Sequence, residues 1–571
     1  MAASGVADRL RVTGFLAGGA LRRLRGVATG PVGLLSRWRF ASPDRLLIAP
    51  QDIRTTDPTI AEDIYSGYFN FASRIVNAHG SSPFELAAPS PEWEAALHGF
   101  GWLRHLRAAD TPLARANAKA LVVEWIAARG RIESGPAWAP AVAARRILSW
   151  LSQSPLILEN ADRAFYRRFM KSLGWHARVL QRSLPRLASP EDRLTVAMAL
   201  TQLGLCANGF EKLQRRAVRL LVEELGRQIL PDGGHIGRCP QAIVELLLDL
   251  LPLRQAFVAR SVAAPPQLVT AIDRMMPMLR LFRHQDGALA LFNGMGVTAP
   301  DRIATALAYD DARAQPLTNA PLSGYQRVEG DDAVLIVDAG KPPPLAWSGE
   351  AHAGCLSFEV SAGGHRLFVN CGAPPAGRGA FRLASRATAA HNTLVVLDTN
   401  SARIAPSRTG ARTLAGLIVS GPTDVRVDRA EDSGATTLRM SHNGYENRFG
   451  LLHHRCLTLT QDGRRLAGED VLKPSGRRGV GTNAEFAIRF HVHPQVRLSR
   501  LQGGGILMEP PSGDPWIFEA GDLVIDVEES IFFAAPDGAR AAQQLVVHGR
   551  AQLTPDVHWS LTRYSASREN G

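Results

Sequence analysis

The sequence predicts a chain of two parts, an arc or ring of helix hairpins followed by a large antiparallel β-sandwich. Three observations predict it. From about Ala61 to Tyr309 apolar residues recur every three or four positions, as in "LARANAKALVVEWIAA" and "RLTVAMALTQLGLC". Beyond about Pro316 they fall into short β-branched or aromatic runs separated by turn dipeptides, as in "DAVLIVDAG" and "HRCLTLTQDGRRLAGED". Finally, 571 residues exceed what one hydrophobic core organises. The boundaries follow: a basic N-terminal segment at 1–44, the helical domain at 45–315 and the sandwich at 316–571.

The first segment, ending "LLSRWRF", is basic. Its longest uncharged stretch, "VTGFLAGGAL", follows an acidic residue and runs into Arg22 and Arg23, which is not the order of an export signal. It reads either as a frayed tail or as an amphipathic helix in peripheral contact with an anionic surface. No later stretch reaches the ~20 apolar residues of a membrane span. The helices that follow are of ordinary length, and breaks such as "ESGPAW" and "LASPED" make consecutive antiparallel pairs. One break stands out. "PDGGHIGRCP", residues 231–240, places His235 and Arg238 on a glycine-rich turn between two apolar helices.

Composition narrows the function. Net charge is +12, from 65 Lys+Arg against 53 Asp+Glu. The excess is mostly arginine, whose planar fork suits carboxylate, sulfate or phosphate. The rival anionic partners are nucleic acid, a membrane surface and an acidic polysaccharide, and no nucleic-acid fold signature accompanies the charge. Cys206, Cys239, Cys355, Cys371 and Cys456 lack the spacing of a zinc knuckle or disulfide framework and read as free thiols.

Taken in order, "SPEWEAALHGFGWLRHL", "PAWAPAVAARRILSWL", "QILPDGGHIGRCPQ", "AHAGCLSFEVSAGGHRLFVNCG", "RATAAHNTLVVLDTNSA" and "HNGYENRFGLLHHRCLTL" resemble the heparinase II/III family of polysaccharide lyases. The resemblance covers about Phe69 to Pro494. It implies an (α/α) toroid whose cleft is closed by the β-sandwich, with an acidic glycan between them. The implied reaction is β-elimination, the work of a carbon–oxygen lyase. The C5 proton of a uronate leaves to a base, the C5 carboxylate is neutralised, and an acid protonates the departing C4 oxygen.

On that resemblance His235 and Arg238 face the cleft, and Tyr445 transfers a proton with His442 beside it. Trp102, His105, Trp138 and Arg146 lie in segments matching the cleft helices, with Trp138 partly exposed, whereas Trp150 reads as core. His352 and His391 match two histidines of a family metal site. Its aspartate position reads Asn370 here, a poor zinc ligand, so the alternative is that both histidines bond the sheet backbone. A structural zinc ion is the only cofactor the resemblance introduces. Two departures matter. "SPEDRLTVAMAL" lacks the family's asparagine, and "CPQAI" lacks its toroid tyrosine. Either Arg146, Arg238 and Arg386 neutralise the substrate carboxylate, or the fold serves as a non-catalytic glycan-binding or structural protein of the cell envelope. The family implies periplasm or envelope, while the missing export signal allows the cytoplasm.

Overall fold

The structure is a computed structural model that describes residues 6–28, 43–130, 134–187, 189–310, 313, 315–375, 379–406, 412–476, 484–554 and 556–564. After an N-terminal helix α1 (Val6–Ala28), the helical domain runs through α2 (Thr59–Tyr65), α3 (Pro91–Gly99), α4 (Leu103–Ala109), α5 (Pro112–Ala128) and α6 (Pro140–Ser152). It continues with α7 (Ser154–Leu158), α8 (Arg163–Ser183), α9 (Pro190–Cys206), α10 (Glu211–Gln228), α11 (Pro240–Ala259), α12 (Pro266–Leu281) and α13 (Pro300–Ala308).

Apolar distribution decides which helix lies where. α9 is apolar on every side, and each residue from Val196 to Cys206 is buried, so it stands in an inner layer beside α6 and α11. α10 buries one stripe (Leu213, Ala217, Leu221, Leu225) and turns its arginines outward, so it packs outside α9. The same alternation pairs inner α6 with outer α8 and inner α11 with outer α12, giving an (α/α) toroid. Three helices begin with Ser or Thr followed by Pro. Ser90, Thr111 and Ser189 accept the amides of Trp93, Ala114 and Asp192, each cap contributing about 1 kcal/mol.

The toroid, which carries a short hairpin of strands Tyr68–Phe71 and Arg74–Asn77, ends with α13, and the first strand of the sandwich begins at Asn319. One sheet orders its strands Val425–Glu431, Ala435–His442, Leu451–Thr460, Arg465–Pro474, Asp556–Arg563, Trp516–Glu519, Ile506–Glu509 and Arg497–Arg500, antiparallel throughout. The other orders Ile525–Phe532, Arg540–Arg550, Glu485–Val492, His365–Phe368, Phe358–Ala362, Ala333–Asp338, Tyr325–Glu329 and Asn319–Ala320, with Leu394–Val396 also paired to Glu485–Val492. Between them lie Phe358, Phe368, Phe490, Phe518 and Trp559. The strand Leu451–Thr460 alternates buried and half-buried residues, the period-2 pattern of a sheet with one inner face. No described helix is long and apolar enough to cross a membrane.

Candidate functional site at the junction of toroid and sandwich

The turn "PDGGHIGRCP" sits where α10 gives way to α11 and presses against the start of the sandwich. Two of its three glycines are required by close approaches, one to the toroid and one to the sandwich. Gly233 has φ +85°, and a Cβ there would strike the Arg274 carbonyl on α12. A Cβ on Gly234 would strike the Ser323 hydroxyl. Asp232 fastens the contact, its carboxylate accepting from the amides of Leu322 (2.9 Å) and Ser323 (2.7 Å) and from the Ser323 hydroxyl (2.6 Å).

Arg238, expected at an open cleft, is instead an inter-domain staple. Its Nε donates to Ser323 O (2.7 Å), Nη1 to Lys341 O (3.0 Å), and Nη2 to Gly324 O (3.1 Å) and Asp338 Oδ1 (2.5 Å). Burial opposes its charge, but Asp338 and the hydrogen bond between them hold the guanidinium firmly protonated. The second Asp338 oxygen accepts from Asn293 Nδ2 (2.9 Å), which also donates to Tyr325 Oη (2.7 Å), and Tyr325 donates to the Arg238 carbonyl (2.6 Å). His235 stands edge-on to Trp347 at 5.4 Å, and its Nδ1 accepts from the Gly237 amide (3.2 Å). Burial pushes its pKa down to about 4, so the ring is neutral with its proton on Nε2.

The other residues singled out by sequence lie apart from this turn. Tyr445 is buried and donates to Leu394 O (2.7 Å), and burial raises its pKa, both unfavourable to proton transfer. His442 accepts from the Gly444 amide (2.9 Å) and pairs with His453, which bonds Asp470 (2.7 Å). Arg386 donates to Ala351 O (2.8 Å) and Ser348 O (2.9 Å), and burial lowers its pKa to about 10. Arg146 is wholly buried, bonded to His176 Nε2 (2.8 Å), His98 O (2.7 Å) and Ala137 O (3.0 Å) and lying over Trp125. Trp138, expected to be partly exposed, is 4% exposed and donates to Arg129 O, because the 3₁₀ turn Pro136–Trp138 folds it against Trp125. Trp150 is core. Trp102 and His105 line a cavity inside the toroid.

The residues matched to a metal site do not fit one. His391 Nδ1 donates to Ala387 O (2.7 Å), His352 Nδ1 donates to His391 Nε2 (3.0 Å), and His352 Nε2 accepts from the Gly294 amide (3.0 Å). This relay of neutral rings engages all four nitrogens. Asn370 Oδ1 accepts from the Asn392 amide (2.9 Å), and no cluster of three or more His, Cys, Asp or Glu suited to a metal occurs among the described residues.

Several junction residues carry no sequence signal: Asp338, Asn293, Trp347, Glu191 and Glu350. Burial, then repulsion from Glu350, raises the pKa of Glu191, so carboxyls of toroid and sandwich face each other here. Glu350 also pairs with Arg382. Over the same junction lies α1, read from sequence as a tail or surface helix. Asp8 accepts from Ser420 Oγ (2.6 Å), Arg11 donates to Ile418 O (3.1 Å), and Val12 and Phe15 pack on Leu345 and Val419, while the helix also touches Leu184–Arg186 of the toroid.

With this geometry in view, residues 312–560 match the model of the heparinase II/III-like C-terminal domain. The fold superposes on the crystal structure of heparinase III with TM-score 0.69 at 15% identity, covering 92% of this chain and 87% of that one. A heparan sulfate lyase HepC mutant from Pedobacter heparinus gives 0.65 at 15% identity, covering 96% and 88%. At the sequence level the chain is 33% identical to FtsZ-localized protein C of Caulobacter vibrioides (strain NA1000 / CB15N), over 96% of this chain and 97% of that protein. A full-length relative at that identity, with the domain match and the shared toroid-and-sandwich architecture, makes the chain a member of the heparinase II/III-like family.

Proposed function

We propose that this chain is a non-cleaving member of the heparinase-like family that works at the cell-division site in association with FtsZ. One observation carries the loss of cleavage: the groups sequence would assign to carboxylate neutralisation and proton transfer are engaged inside the protein. Arg238 is held by Asp338, Tyr445 by a backbone carbonyl and His442 by His453. Opposed carboxyls at Glu191 and Glu350 add repulsion toward a polyanion. The FtsZ association rests on the full-length relative, a protein localised with FtsZ. FtsZ polymers are cytoplasmic, so this reading favours the cytoplasmic side of the envelope.

Co-sedimentation of the full chain with FtsZ polymerised by GTP tests the association, and recovery in the supernatant at every ratio would refute it. A parallel screen against heparan sulfate, alginate and bacterial exopolysaccharides follows ultraviolet absorbance of the unsaturated uronate, and the expected result is no increase.

The second reading is β-elimination on an acidic glycan. His235 favours it, because among the described residues its Nε2 has no hydrogen-bond partner, leaving one donor at the junction uncommitted. Absorbance growing with time and abolished by His235→Ala would establish that reading instead.

A further inference from the structure

A cavity of about 510 Å³ opens inside the toroid, within the ~300–1,000 Å³ range of small-molecule sites. None of its lining residues belongs to the junction. Its walls are the C-terminal end of α3, the Arg145 to Ser152 face of α6, Gln202 on α9 and the Glu245 to Pro252 stretch of α11. Residues 51–54 and 70–72 close the remaining sides.

Three basic and three acidic side chains line it, and four of the six are locked in ion pairs. Asp249 is gripped by Arg54 (2.8 Å) and by Arg145, and Arg54 also reaches Glu245 (3.4 Å). Arg104 donates to Gly101 O (2.8 Å) and Thr55 O (3.1 Å). Asp52 accepts the Arg54 amide (3.1 Å). A charged ligand would have to compete with these pairs, and in a buried site breaking one leaves an uncompensated charge.

Arg104 is committed to its two carbonyls, and the polar groups left without a partner among the described residues are neutral. Gln202 is 3% exposed and Ser152 is 5% exposed, and neither side chain has a hydrogen-bond partner among the described residues. Both line the cavity wall, so their polar atoms are available to a ligand there without breaking any protein hydrogen bond. His105 supplies a third. Its Nδ1 accepts from the Asp57 amide (2.9 Å), and burial with the nearby Arg104 pushes its pKa down to about 4. The neutral ring therefore carries its proton on Nε2, a donor without a partner among the described residues. Trp102, whose Nε1 is held by Leu97 O (3.0 Å), and Phe71 add apolar wall. Amide, hydroxyl and imidazole beside an aromatic surface match hydroxyl groups that both donate and accept, on a ring with apolar C–H faces.

We propose that this cavity binds a neutral, hydroxyl-rich sugar of one or two rings. The site is independent of the junction and of whether the chain cleaves any polymer.

Titration calorimetry of the full chain with glucose, N-acetylglucosamine, cellobiose and chitobiose, with glucuronic acid as the charged control, tests it. At least one neutral sugar should bind saturably, and at least about tenfold more tightly than glucuronic acid. Gln202→Met keeps side-chain volume but removes the amide, and should weaken binding about fivefold while the melting temperature holds. Ser152→Ala should weaken it in the same direction, and serves alone if Gln202→Met does not fold. Absence of saturable binding across the neutral panel, glucuronic acid binding as tightly as the neutral sugars, or undiminished affinity in the variants would each overturn the proposal.

Discussion

Replacing Asp338 by asparagine tests whether Arg238 staples the two domains. The amide keeps the volume, but its NH2 must face a donor, either Asn293 Nδ2 or Arg238 with the Gly340 amide, and the Arg238 guanidinium, in a residue 7% exposed, loses its counter-charge. Removing one member of a buried pair costs about 3–5 kcal/mol. The carbonyls of Ser323, Gly324 and Lys341 continue to accept from Arg238, which puts the expected loss at the lower end, about 3 kcal/mol. Arg238→Ala should cost more, since it also strips those three carbonyls of their donor at about 1 kcal/mol each. Urea unfolding read by far-ultraviolet circular dichroism is the assay. With a slope of about 3 kcal/mol/M, Asp338→Asn should lower the midpoint by about 1 M. Because the pair joins toroid to sandwich, a shared transition should also separate into two steps. A midpoint unchanged within about 0.2 M, with both domains still unfolding as in the wild type, would refute the staple and return Arg238 to the pool of groups free for a ligand.

Acidification should destabilise the toroid through His98, His105 and His235, whose folded pKa values are pushed by burial to about 4 from an ordinary 6.5. The unfolded chain binds more protons across that window, so stability is full above pH 6.5 and lost as pH falls toward 4, by about 2 kcal/mol at pH 5 for His235 and by less for His98 and His105, whose shifts solvent screens; a melting temperature no lower at pH 5 than at pH 7 would contradict it. Cys206 and Cys371 are buried thiols with pKa raised by burial to about 12, so a thiol reagent at pH 8 should modify them only after denaturation, as peptide mapping by mass spectrometry can verify. Gly468→Ala should destabilise the sandwich by about 1–3 kcal/mol, because the added methyl would enter the Trp559 indole, and a denaturant midpoint equal to wild type would show that the strand yields.

The architecture was legible because burial imposes period on sequence. α9 is apolar on every side and is an inner helix, α10 carries one stripe and is an outer one, and the alternating strand Leu451–Thr460 has one inner face. The candidate site was less legible, because residue type does not reveal what a side chain meets far along the chain. Arg238 could be seen to sit on a glycine-rich turn, but not that Asp338, one hundred residues later, would receive it. Adjacent arginines in "AARRIL" diverge in the same way: Arg146 enters the aromatic core under Trp125, while Arg145 reaches the cavity and Asp249. Helical rotation separates them, and only knowledge of the inner face tells which goes where. The glycines did carry a signal, since a Gly-Gly pair announces close approach, but the approaching partner, Ser323, belongs to the other domain.

Arginine at the junction also bears on the proposed role, in which a lyase-like shell serves without cleaving. To neutralise a uronate carboxylate, an arginine must be charged, reachable and short of a counter-ion. Arg238 meets only the first condition, because it is buried and Asp338 already serves as its counter-ion. Arg386 is answered by two carbonyls, and its pKa is lowered to about 10 by burial. Arg382, the more exposed neighbour, is paired with Glu350. In each case an internal group performs on the arginine what a glycan would otherwise perform. The substitution of an intramolecular acceptor for a ligand leaves the toroid, the turn and the sandwich edge in their relative places, because the geometry they require is the same. The proposed change of role therefore needs no change of fold, only acceptors at the junction that cannot leave.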